Sequence, residues 1–146
     1  MNLPALLQKE NLFGIKHGSA IELIRMFVGS IFILEGTHKL FTPAGVATFT
    51  EIGFSYPEFT AMFVGLFETL CGILVLIGFA TRLAAIPLII IMLTAIYTTK
   101  IPQFSTKSIY DVLHAARLDV SLLLSGVFLF FNGSGEHSID SNISKT

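Results

Sequence analysis

Apolar residues fall into four long stretches separated by short polar punctuation. The first runs from about Ile21 to Phe41, with its apolar centre at Met26–Leu34. The second runs from about Phe59 to Phe79 and is interrupted by Glu68. The third, Leu83 to about Thr99, carries no charge as far as Tyr97. The fourth, about Val112 to Phe131, has its polar groups in its first half. A helix needs roughly 20 apolar residues to cross ~30 Å of hydrocarbon, so each stretch predicts one membrane span. Short connections make successive helices antiparallel neighbours. The expected fold is therefore all-α, an integral membrane four-helix bundle.

The breaks suit this division. Thr42-Pro43-Ala44-Gly45 and Gly53-Phe54-Ser55-Tyr56-Pro57 stand between the first two spans, and Pro57 fits the first turn of a helix. Gly78-Phe79-Ala80-Thr81-Arg82 forms a tight second link, and Pro102 with the polar run to Ser108 forms the third. Asn132-Gly133-Ser134-Gly135 stops the last helix. The chain thus divides into a cytoplasmic N-terminal segment, 1–20, a four-span membrane domain, 21–131, and a polar flexible tail, 132–146. Leu3, Leu6 and Leu7 would let the first segment form a short interfacial helix. Glu35-Gly36-Thr37-His38-Lys39 after Leu34 contains no small-x-small cleavage site, so the first span reads as retained. Lys9, Lys16, Arg25, Arg82 and Lys145 fall on one side, against Lys39, Lys100, Lys107 and Arg117 on the other. That small excess favours cytoplasmic termini.

Composition narrows the class further. Of 146 residues, 53% are apolar and 13% charged, with mean hydropathy +0.76. A soluble domain carries about twice that charged fraction. Disorder needs low hydrophobicity and high charge, and nucleic-acid binding needs a basic excess; the net charge here is −1. The lone Cys71 excludes a disulfide or cysteine-built metal site within the chain, and no metal is expected. The lipid bilayer is the expected surroundings.

Ionisable groups inside a span are costly and mark sites or pairs. At a rise of ~1.5 Å per residue, Glu35 lies roughly 6 Å past the middle of the first span and Arg117 roughly 6 Å before that of the fourth. In antiparallel helices both displacements point to the non-cytoplasmic side. His38 and His114 match in the same way, and Glu68 and Asp119 sit near mid-span. Glu35, His38 and Lys39 share a helical face, as do Gly65, Glu68 and Gly72, where small residues let a neighbouring helix approach the carboxylate. An ion pair between Glu35 and Arg117 is expected to tie the first helix to the fourth. Asp119 points away from His114 and Arg117, toward another helix or none. Lys39 and Arg82, at span ends, suit snorkelling to headgroups, and Arg25 could do the same or meet Glu22. Cys71 reads as a small packing residue.

Several segments in order are familiar: Leu23-Ile24-Arg25, Gly36-Thr37-His38-Lys39-Leu40, Ile52-Gly53-Phe54, Glu68-Thr69-Leu70-Cys71-Gly72 and Gly78-Phe79-Ala80-Thr81-Arg82-Leu83-Ala84-Ala85. Together they resemble the DoxX family of small four-helix bacterial membrane proteins, over about residues 21–131. His114-Ala115-Ala116-Arg117-Leu118-Asp119 is similar to a variant of the fourth span in some members. The resemblance implies a multi-pass protein of the bacterial inner membrane, associated with redox enzymes through a terminal-oxidase or thiosulfate–quinone oxidoreductase subunit. No flavin motif, Rossmann glycine pattern, CxxC pair or c-type haem site is present, so the chain has no catalytic motif of its own.

The leading expectation is a membrane subunit or accessory protein of a quinone-linked oxidoreductase. His38 or His114 would donate to a quinone carbonyl, Glu35 or Glu68 would carry protons, and Arg117 would stabilise charge, with Asp119, Lys39, Arg25 and Arg82 as further binding residues. Electrons would reach the quinone through a redox partner subunit. A non-catalytic assembly protein docking a partner's transmembrane helix is the first alternative, and a small transporter or proton relay the second. A homo-oligomer is compatible with each; nucleic acid is not an expected partner.

Overall fold

The computed structural model describes residues 17–143. Four long helices and two short ones follow in order: α1 (His17–Phe41), α2 (Pro43–Ile52), α3 (Pro57–Ile77), α4 (Thr81–Ala95), α5 (Ile109–Asn132) and α6 (Ile139–Ile143). A π turn, Ile96–Lys100, and a 3-10 segment, Ile101–Ser105, extend α4. The fold is all-α. The N-terminal segment expected at 1–20 lies outside the described residues up to 16, and its last residues form the first turn of α1.

Among the described residues, three helical stretches are long and apolar enough to cross a membrane: Pro57–Ile77, Thr81–Ser105 and Ile109–Asn132. They correspond to the second, third and fourth expected spans. α1 is 25 residues long but carries Glu22, Arg25, Glu35 and Lys39. Its glycines explain how it packs. A Cβ on Gly29 would come within 2.8 Å of the Gly72 carbonyl oxygen, and one on Gly72 within 3.0 Å of the Ile33 nitrogen. Gly36 and Gly65 meet in the same way one level along, so α1 and α3 run antiparallel with their backbones in contact. Val28, Phe32, Val75, Leu88, Leu122 and Leu129 are buried along the bundle axis. The outer surface is Leu, Ile and Phe, exposed as lipid-facing positions are.

Two local features were not expected. The connection after the first span folds as α2, with Thr42 accepting from the Gly45 N–H, Pro43 in the first turn and Gly53 at φ 91 closing it. Phe49 of α2 is buried and meets Phe54 edge-on at 5.6 Å. The second concerns residues 132–143, within the segment expected as a polar flexible tail, which bond to the bundle. The buried Arg25 guanidinium donates to the Ser134 and His137 carbonyls, and the His137 N–H donates to Glu22. Asp140 accepts from the Ala80 and Thr81 N–H groups, at 2.7 and 3.1 Å. The polar residues of this segment bind the exposed helix ends instead of water, and that holds it against the bundle.

Candidate functional site

The α2 end of the bundle encloses a cavity of about 260 Å³. Its walls are largely apolar, from Phe49, Val64, Ile90, Ile91, Met92 and Leu122, with Thr60, Thr94, Thr98 and Thr99 interspersed. Four ionisable groups border it: Glu35, Lys39, Glu68 and Asp119.

Each is placed by a helix. Glu35 and Lys39 lie one turn apart on α1, with Lys39 Nζ 3.6 Å from Glu35. Across the glycine seam, Lys39 Nζ donates to Glu68 Oε2 at 2.7 Å. Glu68 is fully buried, Lys39 is one-fifth exposed and Glu35 nearly half exposed, so the three form a gradient from the bundle interior outward. Glu68 Oε1 has no hydrogen-bond partner. On the opposite wall, Asp119 of α5 pairs with Lys100 at 3.2 Å. Lys100 ends the π turn, where the Ile101 N–H bonds the Ile96 carbonyl. An inserted π turn shifts the helical phase of everything after it, and such turns recur at functional sites. Here it lies where Thr98 and Thr99 border the cavity and Lys100 meets Asp119.

The expected cluster is thus brought together only in part. Glu35, Lys39, Glu68 and Asp119 converge on one cavity. His38 is exposed on α1 and does not border it. His114 and Arg117 are exposed on the outer face of α5, where Arg117 donates to the His114 carbonyl and contacts its ring nitrogens at 2.9 and 3.2 Å. The expected Glu35–Arg117 pair does not form within the chain: α1 turns Glu35 toward Lys39, and α5 turns Arg117 away from the axis. Lys39 points inward to Glu68 and does not snorkel, because a buried carboxylate is the stronger attraction. Arg25 serves the tail, and Arg82 is exposed at the far end beside the Gly133 backbone. Lys100 was missed. Its position at the end of the third span, opposite Asp119 on an antiparallel neighbour, was the available signal.

An all-α bundle with apolar outer faces and ion pairs held inside is an integral membrane protein. The chain matches the DoxX family over residues 20–101, and it belongs to that family. The match covers α1 through the π turn, so Glu35, Lys39, Glu68 and Lys100 fall within it and Asp119 beyond it. The chain is 39% identical over 130 residues to "Uncharacterized membrane protein Rv3486" of Mycobacterium tuberculosis, covering 84% of this chain and 80% of the relative. It is 29% identical over 119 residues to "Putative oxidoreductase CatD" of Bacillus subtilis, covering 81% and 82%. No solved structure matches.

Proposed function

We propose that the chain is a membrane subunit or accessory protein of a quinone-linked oxidoreductase, with the cavity at the α2 end as the quinone head-group site. The observation that carries this reading is one apolar cavity bordered by the Lys39–Glu68 pair on one wall and, on the other, by Asp119, which Lys100 pairs. Its ~260 Å³ lies just below the roughly 300–1,000 Å³ of drug-sized ligand sites, which suits a single substituted ring. A quinone, when bound, supplies acceptance of two electrons and two protons. The chain supplies the rest. Lys39 is a hydrogen-bond donor for a carbonyl oxygen, and Glu68 and Asp119, each paired with a lysine, hold or release protons at the cavity wall. The aliphatic walls exclude water. The likeness to a relative named as an oxidoreductase supports a redox role, with electrons delivered by a partner subunit.

In the same reading α1 is a fourth span, for its charges are internally engaged. Arg25 and Glu22 hold the tail at one end, and Lys39 with Glu68 lies inside at the other. Both termini then share one side of a bacterial inner membrane, the cytoplasmic side by the lysine and arginine bias.

The test is purification from quinone-containing membranes in mild detergent, followed by extraction and mass spectrometry. Quinone in stoichiometric amount is expected, with loss of most of it in Lys39→Met and Asp119→Asn. The reading fails if none is retained and a short-chain quinone shows no saturable binding.

A further inference from the structure

Two opposite charges at membrane depth lack counter-ions of their own among the described residues. At the cavity, Glu35 and Glu68 share the single ammonium of Lys39, while Asp119 has Lys100 to itself. The α1–α3 cluster is therefore one carboxylate in excess, and the side chain of Glu35 is 45% exposed. On the outer face of α5, Arg117 takes part in none of the ion pairs. Its guanidinium bonds only the His114 ring and carbonyl, which carry no negative charge to offset it. Tyr110 stacks on His114 at 6.2 Å, and the exposed Ser121 bonds the Arg117 carbonyl. Tyr110, His114, Arg117 and Ser121 thus form a polar stripe on a helix whose other outward residues include Leu113 and Leu124. A charged residue turned to hydrocarbon without a partner is costly, and such residues pair with something.

The two unbalanced charges lie at one level. α1 and α5 are antiparallel, since Arg25 near the start of α1 meets Ser134 just past the end of α5. Glu35 and Asp119 border the same cavity, and Arg117 lies two residues, about 3 Å, from Asp119 along α5. They match in depth and are opposite in sign, but they do not meet within the chain. We infer that a second copy covers the Tyr110–His114–Arg117 face of α5 and places its own Glu35 against Arg117. The contact is head-to-tail, joining two different surfaces, and repeated with a closing rotation it builds a ring. Each copy then lends an arginine to the mouth of its neighbour's cavity and neutralises the cluster there. The inference stands whether or not the cavity takes a quinone.

Cross-linking in native membranes tests it, using the full chain with Cys71→Ser. Two differently tagged copies are co-expressed, one with Glu35→Cys and the other with Arg117→Cys, and then oxidised. A product of twice the monomer mass carrying both tags is expected. A control pairing Glu35→Cys with Leu93→Cys, exposed on α4, should give none. The mass of uncrosslinked protein in mild detergent is the second measurement. Glu35→Arg and Arg117→Glu should each shift it toward monomer, and the combined swap should restore the oligomer. A mixed product no stronger than the control overturns the inference. So does a monomeric wild type, or capture of a different protein at Arg117→Cys with no homo-oligomer.

Discussion

Lys39 and Glu68 show how a single side chain can govern a membrane bundle. The Glu68 carboxylate is fully buried and its charge is offset by one ammonium at 2.7 Å. Removing one partner of a buried pair costs about 3–5 kcal/mol in soluble proteins, because a charge is left uncompensated. Values inside a bilayer run smaller, as water and snorkelling relieve the strain. Lys39→Met should therefore lower the thermal stability of the detergent-purified protein. Glu68→Gln should be milder than Glu68→Lys, since the amide keeps the size and one acceptor while the lysine sets two ammonium groups together. Combining Lys39→Met with Glu68→Gln should cost less than the sum of the two, as coupled neighbours do. Equal melting temperatures for Glu68→Gln and Glu68→Lys would show that the carboxylate does not face Lys39. The burial of Glu68 was legible in sequence from its flanking Gly65 and Gly72. Its partner was not, because a lysine two residues from the end of a span reads equally well as reaching outward.

At the scale of elements, the ends of helices decided what sequence reasoning captured. The long helices announce themselves by apolar length, and Gly78 and Pro57 mark boundaries that the structure keeps. The tail did not announce itself. Asp140 caps a helix 59 residues earlier in the chain, and no local spacing encodes so distant a partner. α2 was different: Thr42, Pro43 and Gly53 are ordinary start and stop signals, passed over because the segment is too short to span. The π turn leaves no trace in periodicity, so the direction of Lys100 had to come from structure. Asp140→Ala should remove the cap from α4, where Ala80 offers no side-chain oxygen of its own. Loss of an N-cap acceptor costs ~0.5–2 kcal/mol. The expected result is a lower melting temperature with faster proteolysis after Asn132, while Asp140→Asn retains most of the stability. Unchanged proteolysis in Asp140→Ala would mean that Arg25 and Glu22 hold the tail without the cap.

For the whole molecule the open quantity is whether α1 crosses the membrane with the other three. Length and composition select α3, the extended α4 and α5, and pass over α1 because of its charges. Packing argues the other way. The glycine seam holds α1 against α3 from Gly29–Gly72 to Gly36–Gly65, so α1 occupies the depth that α3 occupies. A helix fastened along a spanning helix, with Glu68 buried between them, cannot lie flat on the surface without breaking the Lys39–Glu68 pair. Reporter fusions separate the two arrangements if the positions are chosen well. Thr50 in α2 and the C-terminus after Thr146 lie three spans apart and should report opposite sides in either case. The decisive pair is the N-terminus and Thr50, separated by α1 alone. Opposite sides for that pair, with the N-terminus and Thr146 both cytoplasmic, is the expected outcome. The N-terminus and Thr50 reporting one side would remove α1 from the membrane and leave Lys39 and Glu68 without the shared depth that their bond requires.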